Sequence, residues 1–178
     1  MGAPIGMLLC ASTENRVLAD FIATGTYDIA ERPFVLTPSP SMDILVSSNL
    51  ERQLFELTDR DGDAVRGWMR DLKETGRFRV DERTFARMRQ LFAGDSVDNA
   101  ECLATVREVF ERHDYLMDPH TAVAFKVYGE YRAATGDETP TVVVSTASPY
   151  KFPASVLEAL GGELPGKNDF SILSSLEE

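Results

Sequence analysis

Asp118-Pro-His-Thr-Ala122, then a helical pattern, then Thr139-Pro-Thr-Val-Val-Val-Ser-Thr-Ala-Ser-Pro-Tyr-Lys-Phe152: the reading of this stretch decides the fold. Asp118 is placed to cap a helix, its carboxylate accepting from the free N–H groups of the first turn. Pro119 suits the first helical position, where a missing N–H costs nothing. Val123, Ala124, Val127, Tyr128 and Tyr131 recur at helical spacing and form one apolar face. Gly136 ends the helix. Residues 141–144 are all β-branched and are expected to form a strand buried on both faces. After them the side chains become small and polar: Ser145, Thr146 and Ser148, before Pro149. Open α/β sheets bind ligands at the carboxyl ends of their strands. Residues 145–148 are therefore the candidate ligand site, and Thr146 is its leading residue.

Composition bounds the rest. A chain of 178 residues, 43% hydrophobic and 26% charged, fits one soluble domain with a sizeable core. The net charge of −11 speaks against nucleic acid or an anionic membrane as partner, though not against a phosphorylated small molecule. Cys10 falls in an apolar strand pattern and Cys102 in a helix. Neither has metal-ligand neighbours or a Cys-x-x-Cys spacing, so reduced buried thiols and no metal site are expected. No apolar run approaches the roughly 18–20 residues that span a bilayer. Gly6 stands where a myristoylation signal needs Ser or Thr, and no secretory signal is seen, so a cytoplasmic location is expected.

In chain order, residues 5–11 read as a strand beginning almost at the first residue. Thr13 or Asn15 then caps a helix with Val17, Leu18, Phe21 and Ile22 on one face, ended by Gly25. Residues 34–36 suggest a short strand, and Thr37-Pro-Ser-Pro-Ser41 a rigid loop. Ser48 with Glu51 has capping-box spacing and opens a helix through Leu50, Leu54, Phe55 and Leu57. Residues 60–113 read as a charged helical insertion with no chemistry of its own. One helix carries Val65, Trp68, Met69 and Leu72 to Gly76, and a second Phe85, Met88, Leu91 and Phe92 to Gly94. A third is capped by Asp98 and Glu101 and buries Leu103, Val106, Val109 and Phe110. Pro153 starts a helix through Val156, Leu157 and Leu160, ended by Gly161-Gly162; the tail beyond shows weak periodicity. Three strand candidates among so many helices suggest part of a larger α/β domain.

Three motifs carry a resemblance. Ser39-Pro-Ser-Met-Asp-Ile-Leu-Val-Ser-Ser-Asn-Leu-Glu-Arg52, the 118–124 motif and Val144-Ser-Thr-Ala-Ser-Pro-Tyr-Lys-Phe152 resemble threonine synthase, in order and over essentially the whole chain. The resemblance implies part of a tryptophan-synthase-β-like domain, pyridoxal-phosphate (PLP) fold type II: α/β, with few parallel strands and many covering helices. Residues 1–178 are then a partial domain, an excised central-to-C-terminal portion. The Phe-Lys-Asp context of the family's Schiff-base lysine and its Gly-Asn-Phe-Gly phosphate loop do not occur here. Lys73, Lys126, Lys151 and Lys167 fall on polar faces or loops outside that motif.

The family converts O-phosphohomoserine and water to threonine and phosphate. Proton transfers at Cα and Cβ release phosphate from Cγ, the cofactor serving as electron sink. By resemblance Thr146 faces the cofactor's pyridine nitrogen, and a hydroxyl there cannot hold the ring protonated as a carboxylate would. Ser145 either bonds the ring edge or closes the turn before Pro149. His120 either works on substrate or cofactor as orienter or acid–base, or is structural. Ser41, Asp43 and Asn49 are candidates for shaping a substrate pocket, Asp43 also reading as a hydrogen-bonded structural aspartate. His113, near a helix end, reads as structural. This portion alone is expected to be inactive, with weak or absent PLP binding and no catalytic residue of its own. Two other readings stand beside it: a related PLP-dependent phospholyase or dehydratase, and a non-catalytic binding module reusing the fold. Exposed sheet edges suggest self-association.

Overall fold

Residues 4–162 and 169–177, the part of the chain described by the computed structural model, form twelve regular elements. They are β1 (Leu8–Ser12), α1 (Val17–Thr24), β2 (Thr26–Asp28), α2 (Leu50–Leu57), α3 (Gly62–Thr75), β3 (Arg77–Arg79), α4 (Glu82–Leu91), β4 (Phe92–Ser96), α5 (Asn99–His113), α6 (Pro119–Thr135), α7 (Pro153–Ala159) and α8 (Asp169–Glu177). The chain divides into two units. One takes the residues up to Val35 together with Asp43–Ser96; the other takes Leu36–Met42 and the residues from Val97 onward. Residues 60–113 contribute to both.

The first unit contains both sheets. β1 and β4 pair in parallel, Leu8 opposite Phe92 and Ser12 opposite Ser96. α1 crosses β4 at Gly94, where a Cβ would stand 3.1 Å from Ile22 Cδ1 and 3.3 Å from Ala19 Cα, so any larger residue would force the helix to give way. α1 and α3 each end on a left-handed glycine, Gly25 at φ 73° and Gly76 at φ 74°, and each then runs straight into a strand. Those strands, β2 and β3, pair antiparallel and set Tyr27 opposite Phe78. The two rings stack at 5.4 Å, Phe21 meets both edge-on, and Trp68 lies 6.2 Å from Phe78. Tyr27 is buried, but its hydroxyl donates to the Leu45 carbonyl at 2.7 Å and accepts the Ser47 N–H at 3.0 Å. The aromatic core thereby also holds the loop that leads into α2.

The second unit is helical among its described residues. α5 opens with a capping box between Asp98 and Glu101 and buries Cys102, Thr105, Val106 and Val109. α6 is capped by Asp118, begins at Pro119, ends on left-handed Gly136 and buries Ala122, Val123 and Val127. The Arg107 Nε–H donates to the Ala159 carbonyl at 2.6 Å, tying α5 to the end of α7, whose Val156 and Leu157 are buried. The expected α6 limits, the Gly25 and Gly76 ends and the 98/101 box are thus all observed.

Several expectations are corrected. Residues 141–144 form no strand: they run extended at the surface, Val142 86% and Val144 69% exposed. β-branching favours an extended backbone, but a strand also needs a neighbour to complete its ladder, and none of the described strands lies beside it. Residues 34–36 form no strand either; the Asn15 side-chain amide bonds both the N–H and the C=O of Val35 in place of a ladder. That use removes Asn15 as a cap, and α1 has no side-chain cap at Arg16. The Ser48–Glu51 box does not form, since α2 begins after Asn49 with no side-chain cap. β1 begins at Leu8, three residues later than expected. α4 stops at Leu91, and Phe92 starts β4, so Gly94 is a packing glycine rather than a helix end. The tail is helical over α8; residues 163–168 lie outside those described.

Tyr27→Phe keeps the ring stack but leaves the Leu45 carbonyl and the Ser47 N–H without their partner. It is expected to lower stability by about 1–3 kcal/mol in urea unfolding. Tyr115→Phe, at a half-exposed position, should stay within about 0.5 kcal/mol of the parent.

Candidate functional site

The polar residues singled out in the second unit gather around the start of α6. Asp118 is 1% exposed. Its Oδ1 accepts the N–H groups of His120 at 3.0 Å and Thr121 at 3.3 Å and lies 3.0 Å from His120 Nδ1. Its Oδ2 accepts the Thr121 hydroxyl in a short contact. Burying a carboxylate is costly unless its lone pairs are filled, and here four donors fill them.

His120 links three pieces of this unit. Its Nε2 accepts the Ser41 N–H at 3.2 Å. An amide can only donate, so Nε2 carries no proton, and the neutral ring keeps its proton on Nδ1, facing Asp118. The ring packs against Phe152 at 4.6 Å between centroids. Both nitrogens are engaged, and acid–base work at either would break one of these bonds.

Thr121 Oγ1 lies 3.1 Å from Ser145 Oγ. A hydroxyl has one proton, and the carboxylate, which only accepts, makes the shorter contact. The Thr121 proton therefore goes to Asp118, and Ser145 donates to Thr121. The outward side of Ser145 Oγ then presents lone pairs. The neighbouring Thr146 is exposed, and its hydroxyl has no partner among the described residues. Ser148 accepts the Lys151 N–H through its carbonyl at 3.1 Å, closing the turn that leads into α7.

Ser41 is thus brought to His120, and Ser145 to Thr121. Asp43 and Asn49 belong to the other unit. Asp43 Oδ1 accepts from Asn15 Nδ2 at 3.0 Å, and Asn49 Oδ1 accepts from Arg52 at 2.7 Å. Asn49 and Ser47 also stand at a cavity of about 240 Å³ walled by Cys10, Phe21, Ile22 and Met88. Sequence reasoning missed Thr121, Phe152, Ser39 and the environment of Cys102. Thr121 was findable, since it stands three residues after a capping aspartate, where its hydroxyl returns to the carboxylate. The Cys102 thiol donates to the Pro119 carbonyl at 3.4 Å and lies 4.0 Å from Ser39 Oγ; burial pushes it from an ordinary 9.0 to about 11. Among the described residues no cluster of three or more His, Cys, Asp or Glu side chains could hold a metal ion. No described helix is long and apolar enough to cross a membrane.

A family model described as "Threonine synthase, C-terminal" matches residues 121–178. Threonine synthase-like 1 of Macaca fascicularis is 40% identical over 160 residues, which are 90% of this chain and 21% of that protein. Threonine synthase of Pseudomonas aeruginosa is 36% identical over 167 residues, 93% of this chain and 34% of that protein. The crystal structure of PLP-bound threonine synthase from Brucella melitensis superposes with a TM-score of 0.83 at 40% identity, over 93% of this chain and 35% of that one. The threonine synthase likeness carried by the motifs is therefore borne out along nine-tenths of the chain. So is the fold, a mixed α/β arrangement with few parallel strands like part of these threonine synthase structures. The chain spans about a fifth to a third of the length of the relatives it matches.

Because burial disfavours the Cys102 thiolate, the thiol contributes stability that is fully present below its unfolded pKa near 9 and is lost as pH rises toward about 11. Urea midpoints measured from pH 7 to 11 should fall over that window, and Cys102→Ala should flatten the decline. Cys102 should also resist iodoacetamide at pH 8 in the native chain and react in urea.

Proposed function

We propose that this chain is the central-to-C-terminal portion of a cytoplasmic, PLP-dependent threonine synthase, which turns O-phosphohomoserine and water into threonine and phosphate. The observation that carries the reading is the unengaged Thr146 hydroxyl, exposed beside a Ser145 that is hydrogen-bonded to Thr121, within a motif resembling the family's. These residues fit the ring-nitrogen side of such a cofactor: a small neutral hydroxyl, exposed and with no competing partner among the described residues. Bound there, PLP would supply the electron sink for proton removal and phosphate loss. Thr146 would orient the ring through a hydrogen bond to its nitrogen without holding that nitrogen protonated. The His120–Asp118 pair would keep the base of α6 fixed behind Ser145, and Ser41 would be positioned through its N–H rather than its hydroxyl.

The lysines support a portion lacking the cofactor-linking residue. A lysine that condenses with a carbonyl needs its pKa lowered. Lys126 instead pairs with Glu130 at 3.0 Å and Glu101 at 3.7 Å, and the hydrogen bond to Glu130 holds its pKa above the usual range. Lys73 and Lys151 are exposed, and Lys167 lies outside the described residues. We infer that the chain alone neither retains PLP covalently nor turns over substrate. Adding PLP and then borohydride should leave no labelled lysine in this chain, whereas the full-length polypeptide should be labelled at one. A stable reduced adduct at a single lysine of the chain alone overturns the reading.

Identity to a threonine synthase-like 1 protein equals that to the Brucella threonine synthase, 40% each, so a related enzyme of the same fold is the second reading. Assays of the full-length polypeptide should show turnover of O-phosphohomoserine and not of O-phosphothreonine; the reverse preference would favour a phospholyase of the same fold.

A further inference from the structure

The segment that carries Thr146 is held in an unusual way. After α6 ends at Gly136, Asp137 organises a short turn by accepting the Thr139 N–H at 2.9 Å. Across residues 142–147 no backbone ladder follows. Among the described residues, Val143 and Ala147 are half-buried, and the contact between Ser145 and Thr121 is the one hydrogen bond that ties those six residues to the rest of their unit. Its inner end is firm. Thr121 is 5% exposed, its N–H and hydroxyl both go to Asp118, and Asp118 is itself buried. The backbone of Thr121 is already secured by the cap, so its hydroxyl does something the cap does not require: it carries the order of α6 outward to Ser145.

We propose that Thr121 is a positioning residue whose hydroxyl, locked by the Asp118 carboxylate, fixes Ser145 and with it the presentation of Thr146. Its mechanical part stands on the hydrogen bonds alone, while its consequence for a ligand rests on the reading of Thr146 given above. Valine at position 121 keeps the β-branched shape and the capped N–H but removes the hydroxyl. Serine keeps the hydroxyl and removes only a methyl.

The test uses ¹⁵N relaxation on the chain itself. Backbone order parameters at Ser145 and Thr146 should fall below about 0.6 in Thr121→Val while α6 stays near about 0.85. Ser145→Ala, a change at an exposed position, should produce the same loss at Thr146, and Thr121→Ser should restore the parent values. Unchanged order in both Thr121→Val and Ser145→Ala overturns the proposal. So does a failure of Thr121→Ser to restore it, because lost bulk rather than the lost hydroxyl would then be the cause. In the full-length polypeptide, Thr121→Val should weaken PLP binding about three- to tenfold, the range of one hydrogen bond, with recovery in Thr121→Ser. Thr146→Val is the separate control. If it leaves PLP affinity unchanged, the cofactor reading of Thr146 fails, and the order parameters still decide the role of Thr121.

Discussion

One buried carboxylate governs the C-terminal unit. Asp118 is removed from water, and an isolated charge there would be unfavourable by several kcal/mol. Two backbone N–H groups, one imidazole N–H and one hydroxyl surround it instead. Each donor belongs to something that must be placed: the first turn of α6, the ring of His120, the side chain of Thr121. Through the last two, Asp118 reaches Ser41 and Ser145, which lie far from it in sequence. A single capping residue thus sets the helix start and the positions of two other segments.

The N-terminal unit solves a similar problem with other groups. Its loops are pinned by side chains that imitate backbone. The Asn15 amide pairs with both the N–H and the C=O of Val35 and then with Asp43. The Tyr27 hydroxyl does the same for Leu45 and Ser47 from inside the aromatic stack. Burial raises the Tyr27 pKa, so the phenol stays protonated and can donate and accept at once. Such clips let a unit with two-stranded sheets hold long connections that a larger sheet would otherwise organise.

What could be read from the sequence follows the range of the interactions. Caps and stops at Asp98, Asp118, Gly25, Gly76 and Gly136 are local, set within four residues, and were legible. β2 and β3 were not, because three residues carry no periodicity and their pairing depends on two glycines, Gly25 and Gly76, far apart in sequence. Phe-Ala-Gly-Asp-Ser of β4 reads as the end of a helix until α1 is seen lying on Gly94. The opposite error came at 141–144, where β-branching is a preference about the backbone and not a partner. Asn15 was misread for a related reason: an amide before a helix can cap, and it can also bond a distant strand-like segment, and only tertiary structure chooses. At the site, the helix cap and the Thr146 motif were visible. The Thr121 link was not, because it joins residues 24 apart.

The exposed valines and the ordered helix base together bear on the proposed function. The segment carrying Thr146 half-buries Val143 but leaves Val142 and Val144 facing water, so apolar burial holds it only weakly. On the proposed reading, the residues that cover these valines belong to the rest of the longer polypeptide. The Asp118–Thr121–Ser145 chain already holds the segment at Ser145. Where the Thr146 hydroxyl meets a ring nitrogen, as proposed, the hydrogen bond between Ser145 and Thr121 is what keeps that hydroxyl in a fixed place beside the helix base.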